Sequence, residues 1–162
     1  MSVGFSTWIR IGGRIERDKI EPLLEAIQGA GVSLEWGGAP FEPKNADDLI
    51  QARGQWLWLC DDRAGYGEFP KLEATCRKLG LGYTRHCEAM LNYDAERVDF
   101  RPGMKKPLVR IGSNVNRETT YVAMKDVRRA LKHLEACQRD KALATLRRIC
   151  PHVLKLPSFE IV

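Results

Sequence analysis

The sequence predicts an α+β protein, and within that class a ferredoxin-like (split β-α-β) sandwich. Three observations lead to this prediction. Val3 to Ile15 alternates apolar and polar side chains, as a half-buried strand does. The almost wholly apolar run Gln55 to Cys60 is followed by a helical pattern and by a strand that opens at Gly82. Strand, helix, strand therefore occurs twice, before a hairpin, a further strand and two helices. A doubly wound parallel sheet is the alternative.

The first strand is followed by a helix, a short strand and a short helix. Apolar residues recur at helical spacing from Ile20 to Ile27, and Gly29 and Gly31 then end the helix. Val32 to Trp36 is expected to be a short second strand. Asn45 can cap the short helix that follows, because its side chain can accept hydrogen bonds from the first helical amides.

The apolar run Gln55 to Cys60 is expected at the centre of the sheet, because it suits a strand covered on both faces. A helix with an apolar stripe follows and ends at Gly80. Strands from Gly82 to about Leu91 and around Val98 to Phe100 form a predicted hairpin. Leu108 to Gly112 is the last strand before the helices.

The C-terminal third is predicted to be a helical pair and a docked tail. The first helix runs from Thr119 or Thr120 to about Gln138 and the second starts at Asp140. The first helix is expected to carry one apolar stripe, formed by Tyr121, Met124, Val127, Leu131 and Leu134. In the second helix Leu143, Leu146 and Ile149 are expected to face inward. The tail from 153 to 162 should dock as an edge strand or an extended strap. We expect one structural unit, with a sheet domain at 1–115 and the basic helical pair and tail at 116–162 packed on it.

Composition favours a soluble globular protein. Of 162 residues, 44% are hydrophobic and 29% charged, and no apolar run reaches the ~18 residues of a membrane span. The start lacks a secretory signal pattern, so a cytoplasmic location and no contact with membranes are expected. The five cysteines include no CxxC pair, which predicts buried reduced thiols and argues against a zinc site. No cofactor is expected.

Charge is unevenly divided along the chain. Residues 1–100 carry 12 Lys and Arg against 16 Asp and Glu, whereas residues 101–162 carry 14 against 5. Such a basic end suits a phosphate backbone or an acidic protein surface as partner. The alternative is that the basic face is only solvated or faces the acidic half. The candidate contact residues lie on the helical pair: Lys125, Arg128, Arg129, Lys132, Arg139, Arg147 and Arg148.

Aromatic residues provide a second candidate site. Trp8, Trp56 and Trp58 could share one sheet face and stack on bases, although packing beneath helices is the favoured interpretation. Nearby arginines could contact phosphates: Arg10, Arg14, Arg53 and Arg85. The hexapeptide from Arg53 to Trp58 resembles the third-strand motif of RNA-recognition domains, but with its aromatic residues one position out of register, so no family is assigned.

An enzyme is the alternative from a different class. Asp61 and Asp62 follow a predicted strand, and adjacent carboxylates there could hold Mg²⁺, with Glu68 and His86 completing the site. A solvated turn is the favoured interpretation of the Asp pair. No catalytic or metal-binding residue is therefore assigned.

The leading hypothesis is a small non-enzymatic binding or regulatory protein whose basic C-terminal helices engage nucleic acid or an acidic protein surface, including as an inhibitor or accessory factor. The alternatives are the metal-dependent enzyme and a structural homo-oligomer, such as a homo-dimer, in which the tail adds a strand to a neighbouring sheet.

Overall fold

A computed structural model describes residues 4–90, 92–112 and 121–162 of the chain. The predicted element ends at Val3, Leu91 and Thr119 or Thr120, and the boundary at 115, lie outside these residues. The described strands are β1 (Gly4–Ile15), β2 (Leu57–Gly65), β3 (Gly82–Cys87), β4 (Ala95–Phe100), β5 (Leu108–Gly112) and β6 (Phe159–Ile161). The described α-helices are α1 (Glu21–Ala30), α2 (Ala46–Ala52), α3 (Pro70–Lys78), α4 (Met124–Glu135) and α5 (Arg139–Ile149), and a 3-10 turn at Arg17–Lys19 precedes α1.

The six described strands form one sheet, and helices accompany it, so the α+β prediction is confirmed. Their order is β2-β1-β3-β4-β5, and every neighbouring pair in it is antiparallel. Strand β6 lies off this path and pairs in parallel with the end of β1. The alternative of a doubly wound parallel sheet is therefore wrong. The predicted β3–β4 hairpin is confirmed.

The ferredoxin-like topology is not confirmed by this strand order. The expected strand at Val32 to Trp36 is wrong, since only Ser33 makes a bridge there, to Cys60. The run Gln55 to Cys60 was expected at the sheet centre, yet β2 ends the path and β1 is the strand that pairs with β2, β3 and β6. Apolar composition predicts that a strand is covered on both faces, but it does not say which strands flank it.

The core lies between one face of the sheet and helices α1 and α3. Alternate residues of β1, Ile9 and Ile11, are fully buried there with Leu23 of α1 and Leu72 of α3. This follows from the period-two alternation, which directs every second side chain to one face. The short helix α2 starts at a capping box, in which Asn45 accepts from the amides of residues 47 and 48.

Helices α4 and α5 form a hairpin that packs mainly through small side chains. Its buried residues are Asp126, Ala130, Ala142 and Thr145. The apolar stripe of the first helix is largely exposed, since Tyr121, Met124, Leu131 and Leu134 are at least half exposed. The expectation that α5 turns its apolar residues inward is wrong for Leu146, which is exposed, whereas Leu143 and Ile149 are partly buried. Apolar spacing predicts a helix with an apolar side but cannot say whether that side faces the chain's own core.

The tail docks as an edge strand, as predicted. Strand β6 pairs with residues 13–15 of β1, and the ring of Phe159 is fully buried. The segment before it, residues 150–158, is called the strap here. It passes over Gly12, where an added Cβ would lie 2.0 Å from the carbonyl oxygen of Pro157. In this structure the tail adds a strand to its own sheet, whereas the homo-oligomer hypothesis requires it to add a strand to the sheet of a neighbouring molecule.

Three of the five cysteines are buried and free, namely Cys60, Cys76 and Cys87, whereas Cys137 and Cys150 are exposed. The expectation of five buried thiols is therefore wrong for two of them. Burial raises the pKa of the Cys60 thiol to about 11, so it stays protonated near neutral pH. None of the helices in the described ranges has the length and apolar character that a membrane crossing requires.

Replacing Gly12 by Ala should destabilise the fold by about 1–3 kcal/mol, because the new methyl group would push the strap away from β1. Gly29 in α1 is the matched control, since no atom lies within 4 Å of an added Cβ there. Gly29→Ala should therefore stabilise by about 0.5–1 kcal/mol through helix propensity. Urea unfolding of both variants measures this, and a Gly12→Ala protein as stable as wild type would contradict the tight approach of the strap.

Candidate functional site

The sheet face opposite α1 and α3 carries two rows of side chains that run across the strands. Cross-strand partners place Trp58, Arg10, Thr84 and Asp99 in one row. The adjacent row holds Trp8, His86, Arg97 and Arg110. Directly paired residues project to the same face, so aromatic side chains collect over β1 and β2, and arginines over β4 and β5.

A groove of about 1200 Å³ lies over these rows, and we call it the tryptophan groove. All four tryptophans of the chain line it. Its described lining consists of Trp8, Arg10, Trp36, Gln55, Trp56, Trp58, Thr84, Glu88, Arg97, Arg101, Arg110 and residues 149–156. The volume exceeds the ~300–1000 Å³ that is usual for small-molecule sites, which favours a segment of a polymer as ligand.

The aromatic half of the groove is pre-assembled. The guanidinium carbon of Arg10 lies 4.7 Å from the ring centroid of Trp8 and 5.3 Å from that of Trp56, so Arg10 contacts both indoles. Trp36 meets Trp58 edge to face at 5.8 Å. None of the four tryptophans belongs to the core cluster, so the favoured prediction that they pack beneath helices is wrong.

The basic half of the groove is organised by the buried carboxylate of Asp99. It receives hydrogen bonds from Thr84 at 2.8 Å, Arg110 at 2.5 Å and Arg97 at 3.0 Å, and Arg101 lies 3.3 Å away. Burial alone would raise the pKa of Asp99, but these donors outweigh it and hold that pKa below its ordinary value. One carboxylate thus faces three arginines, and the surplus charge is positive.

His86 lies between the two halves. Its ring is 5.5 Å from that of Trp8, and its cross-strand partner is Arg97. Burial, together with the charges of Arg97 and Arg85, lowers the pKa of His86. At neutral pH the imidazole is therefore mainly uncharged, and it is buried and does not itself line the groove.

The strap forms one wall of the groove and is held by side chains of the sheet. The indole N–H of Trp56 donates to the carbonyl of Leu156 at 3.1 Å. The Nε of Arg101 donates to the carbonyl of Leu154 at 2.8 Å. The strap is thereby fixed against both the aromatic half and the basic half, and it sets the width between them.

Of the four arginines predicted to accompany the aromatic residues, only Arg10 lines the groove. Arg85 is buried on the other face, where it pairs with Glu73 at 2.8 Å and Glu96 at 2.6 Å. Arg53 donates to the carbonyl of Phe159 and so holds the tail. Arg14 is exposed at the end of β1 and is absent from the groove lining.

The seven predicted cations of the helical pair are all exposed: Lys125, Arg128, Arg129, Lys132, Arg139, Arg147 and Arg148. Arg148 is partly neutralised, because it pairs with Asp126 at 2.6 Å. The end of α5 adjoins the tryptophan groove, since Ile149 and Cys150 belong to its lining. Whether these cations contact a partner remains a prediction.

The predicted Asp61 and Asp62 metal site is not assembled. Both residues lie within β2, so the favoured interpretation of a turn after the strand is wrong. Asp61 accepts from the amide of Arg63 at 2.9 Å, where the pairing of β2 with β1 is irregular, and Asp62 accepts from the amide of Gly37 at 2.6 Å. Among the described residues, no three His, Cys, Asp or Glu side chains come together as a potential metal site. The geometry gives the metal-dependent enzyme no support.

Sequence reasoning missed Arg97, Arg101, Arg110 and Trp36 as groove residues. The alternation of β4 placed Arg97, Asp99 and Arg101 on one face, so their clustering could have been inferred from sequence. Arg110 could not, because its position depends on the pairing of β5 with β4. Trp36 lies in a turn after α1 and reaches the groove only through the packing of that turn against β2.

Replacing Asp99 by Asn should destabilise the protein by about 3–5 kcal/mol, because three arginines would lose their shared buried counter-ion. Asp62→Asn provides the control, since that carboxylate is exposed and should cost about 1 kcal/mol or less. Guanidinium unfolding gives both values. Equal costs for the two variants would show that Asp99 does not organise the arginines.

Stability should fall when the pH is lowered from about 7 to about 5. The unfolded His86 protonates near its ordinary pKa of 6.5, whereas the folded ring has a lowered pKa and stays neutral further into acid. The unfolded state therefore binds more protons in this window. His86→Gln should reduce this loss, and His152→Gln, at an exposed position, should not. Urea unfolding at several pH values measures the loss of stability in each protein. If His86→Gln loses as much stability as wild type between these pH values, His86 is not its cause.

The comparisons with known proteins add no assignment to this geometry. The chain matches no protein-family model, no curated protein and no solved structure. Function is therefore inferred from the tryptophan groove and the helical pair.

Proposed function

We propose that this protein binds single-stranded nucleic acid along the tryptophan groove. The observation that carries the proposal is that all four tryptophans line one groove together with four arginines. Indole faces stack on bases of any sequence, and guanidinium groups pair with phosphates. The same proposal keeps the protein in the class of non-enzymatic binding proteins that the sequence suggests.

The sheet face that carries the tryptophan groove is wide enough, from β2 to β5, for several nucleotides. Four strand spacings separate β2 from β5, which is about 19 Å. That length corresponds to about five nucleotides at the rise of a stacked strand. Bases would stack over β1 and β2, and the backbone would run towards Arg97 and Arg110. A single strand is favoured over a duplex because paired bases are already stacked and cannot offer their faces to indoles.

The pre-assembled state of the groove supports useful affinity. Arg10 contacts both Trp8 and Trp56 without ligand, and Trp56 holds the strap that forms the groove wall. Binding then orders few side chains, which lowers its entropic cost. Each stacked base contributes about 1–3 kcal/mol. Contacts of Arg10, Arg97 and Arg110 with three phosphates would give a slope of log K against log salt of about −2.

The basic helices are the second candidate surface for the same ligand. Their eight exposed cations, which are the seven predicted ones and Lys141, could contact a backbone that leaves the groove beside α5. They offer no aromatic platform apart from Tyr121 before α4, so they would add affinity without base stacking. Variants of the two surfaces separate their contributions.

Anisotropy titration with labelled 12-nucleotide RNA and DNA, single-stranded and duplex, tests the proposal at about 50 mM and 200 mM salt. Single strands should bind about tenfold tighter than duplexes and weaken about 20-fold between the two salt concentrations. Trp58→Ala should weaken binding about tenfold, and Arg97→Gln should reduce the salt slope by about 0.7. Quenching of intrinsic fluorescence reports groove contact directly, because every tryptophan lies there.

Two matched controls keep this test specific. Tyr66→Ala removes an exposed aromatic residue and Lys71→Gln an exposed cation, and neither residue lines the groove. Both variants should bind like wild type. Arg128→Ala with Arg129→Ala removes cations from α4 only. If that double variant abolished binding while Trp58→Ala left it intact, the groove proposal would be wrong.

A further inference from the structure

One side of the α4–α5 hairpin exposes a group of large apolar side chains. The exposed fractions are 61% for Met124, 52% for Leu131, 50% for Leu134 and 39% for Leu146. Met124, Leu131 and Leu134 share a side of α4, since they are spaced by seven and three residues. Grouped exposed apolar side chains mark an interaction surface more often than isolated ones do.

The hairpin geometry brings the apolar sides of both helices together. The three-residue connection and the pairing of Arg148 with Asp126 show that α4 and α5 are antiparallel. The side chains buried in the hairpin are small, such as Ala130 and Ala142, so the helices approach closely and the leucines remain outside. Two adjacent helices with an outward apolar side form a shallow groove, which suits the apolar stripe of a third helix.

Cations surround this apolar surface. Residues 121–149 contain eight Lys and Arg but only three Asp and Glu, and one of those three, Asp126, is already paired with Arg148. Arg128 adjoins Leu131 on α4, since they are three residues apart. Arg139 and Arg147 lie four residues to either side of Leu143 on α5. The complementary partner therefore carries apolar residues flanked by carboxylates.

We propose that the α4–α5 hairpin docks an acidic amphipathic helix of a partner protein. The partner's apolar stripe packs on Leu131, Leu134 and Leu146, and its flanking Asp and Glu side chains pair with the surrounding cations. This interaction is separate from nucleic-acid binding in the tryptophan groove, so the protein would join a single strand to a protein partner.

Charge and composition disfavour other occupants. A second copy of this surface would bring the same cations together across a two-fold axis, which like-charge repulsion opposes. A membrane surface is favoured by Trp and Phe anchors on an amphipathic helix, but all four tryptophans lie in the groove. Residues 121–149 contain no Phe either.

The test uses the full chain and a synthetic helical peptide with Leu at positions i, i+3, i+4 and i+7 and Glu at the flanking positions. Two matched peptides carry Lys in place of Glu, or the same residues in scrambled order. Calorimetric titration near physiological salt should show the Glu peptide binding about tenfold or more tightly than either control. Leu131→Ser with Leu134→Ser should weaken it about tenfold or more, and Val109→Ser, at an exposed apolar site on β5, should not.

A charge reversal completes the design. Arg128→Glu with Lys132→Glu should weaken binding of the Glu peptide and strengthen that of the Lys peptide. Oligonucleotide affinity should persist in the leucine variant. The proposal is overturned by equal binding of all three peptides, or by a dimer in light scattering that the leucine variant abolishes. Leucine-dependent binding to phosphatidylserine vesicles without peptide binding overturns it as well.

Discussion

Strand β1 is the element on which the rest of the described structure depends, because its backbone pairs with β2, β3 and β6. Its alternate side chains serve the two faces of the sheet. Ile9 and Ile11 enter the core against α1 and α3, whereas Trp8 and Arg10 form the floor of the groove. A shift of one residue in its register would exchange these two sets, so core packing and the candidate site are fixed by the same pairing.

The buried carboxylate of Asp99 fixes the positions of the arginines that make the groove positively charged. A buried carboxylate requires cationic partners, and here Arg97, Arg101 and Arg110 supply more positive charge than it neutralises. The arginines are thus ordered before a ligand arrives. Arg101 also bonds to the strap, so the charge cluster and the groove wall support each other. Affinity for an anionic ligand would then come from a network that stability already requires.

The two candidate surfaces differ in chemistry. The tryptophan groove combines indole faces with arginines on a rigid sheet, which suits bases and phosphates. The helical pair combines exposed leucines with cations, which suits an acidic amphipathic helix. Both surfaces carry more cations than carboxylates, but only the neighbouring side chains distinguish a phosphate backbone from a carboxylate-bearing helix. The charge division along the chain could not rank the two partners, because all four tryptophans of the groove lie in residues 1–100, where acidic residues outnumber basic ones.

Local patterns determined much of this protein. The alternation of β1, the β3–β4 hairpin, the Asn45 cap and the apolar tail could each be predicted, since neighbouring residues decide them. Tertiary structure alone decided which strand makes the most pairings and that Arg110 joins Asp99. It also decided that Trp36 lines one groove together with Trp8, Trp56 and Trp58. Tertiary packing also left the side chains of Leu131 and Leu134 exposed to solvent. The physical reason is that periodicity fixes which side chains share a face, while pairing and packing between distant segments decide what that face contacts.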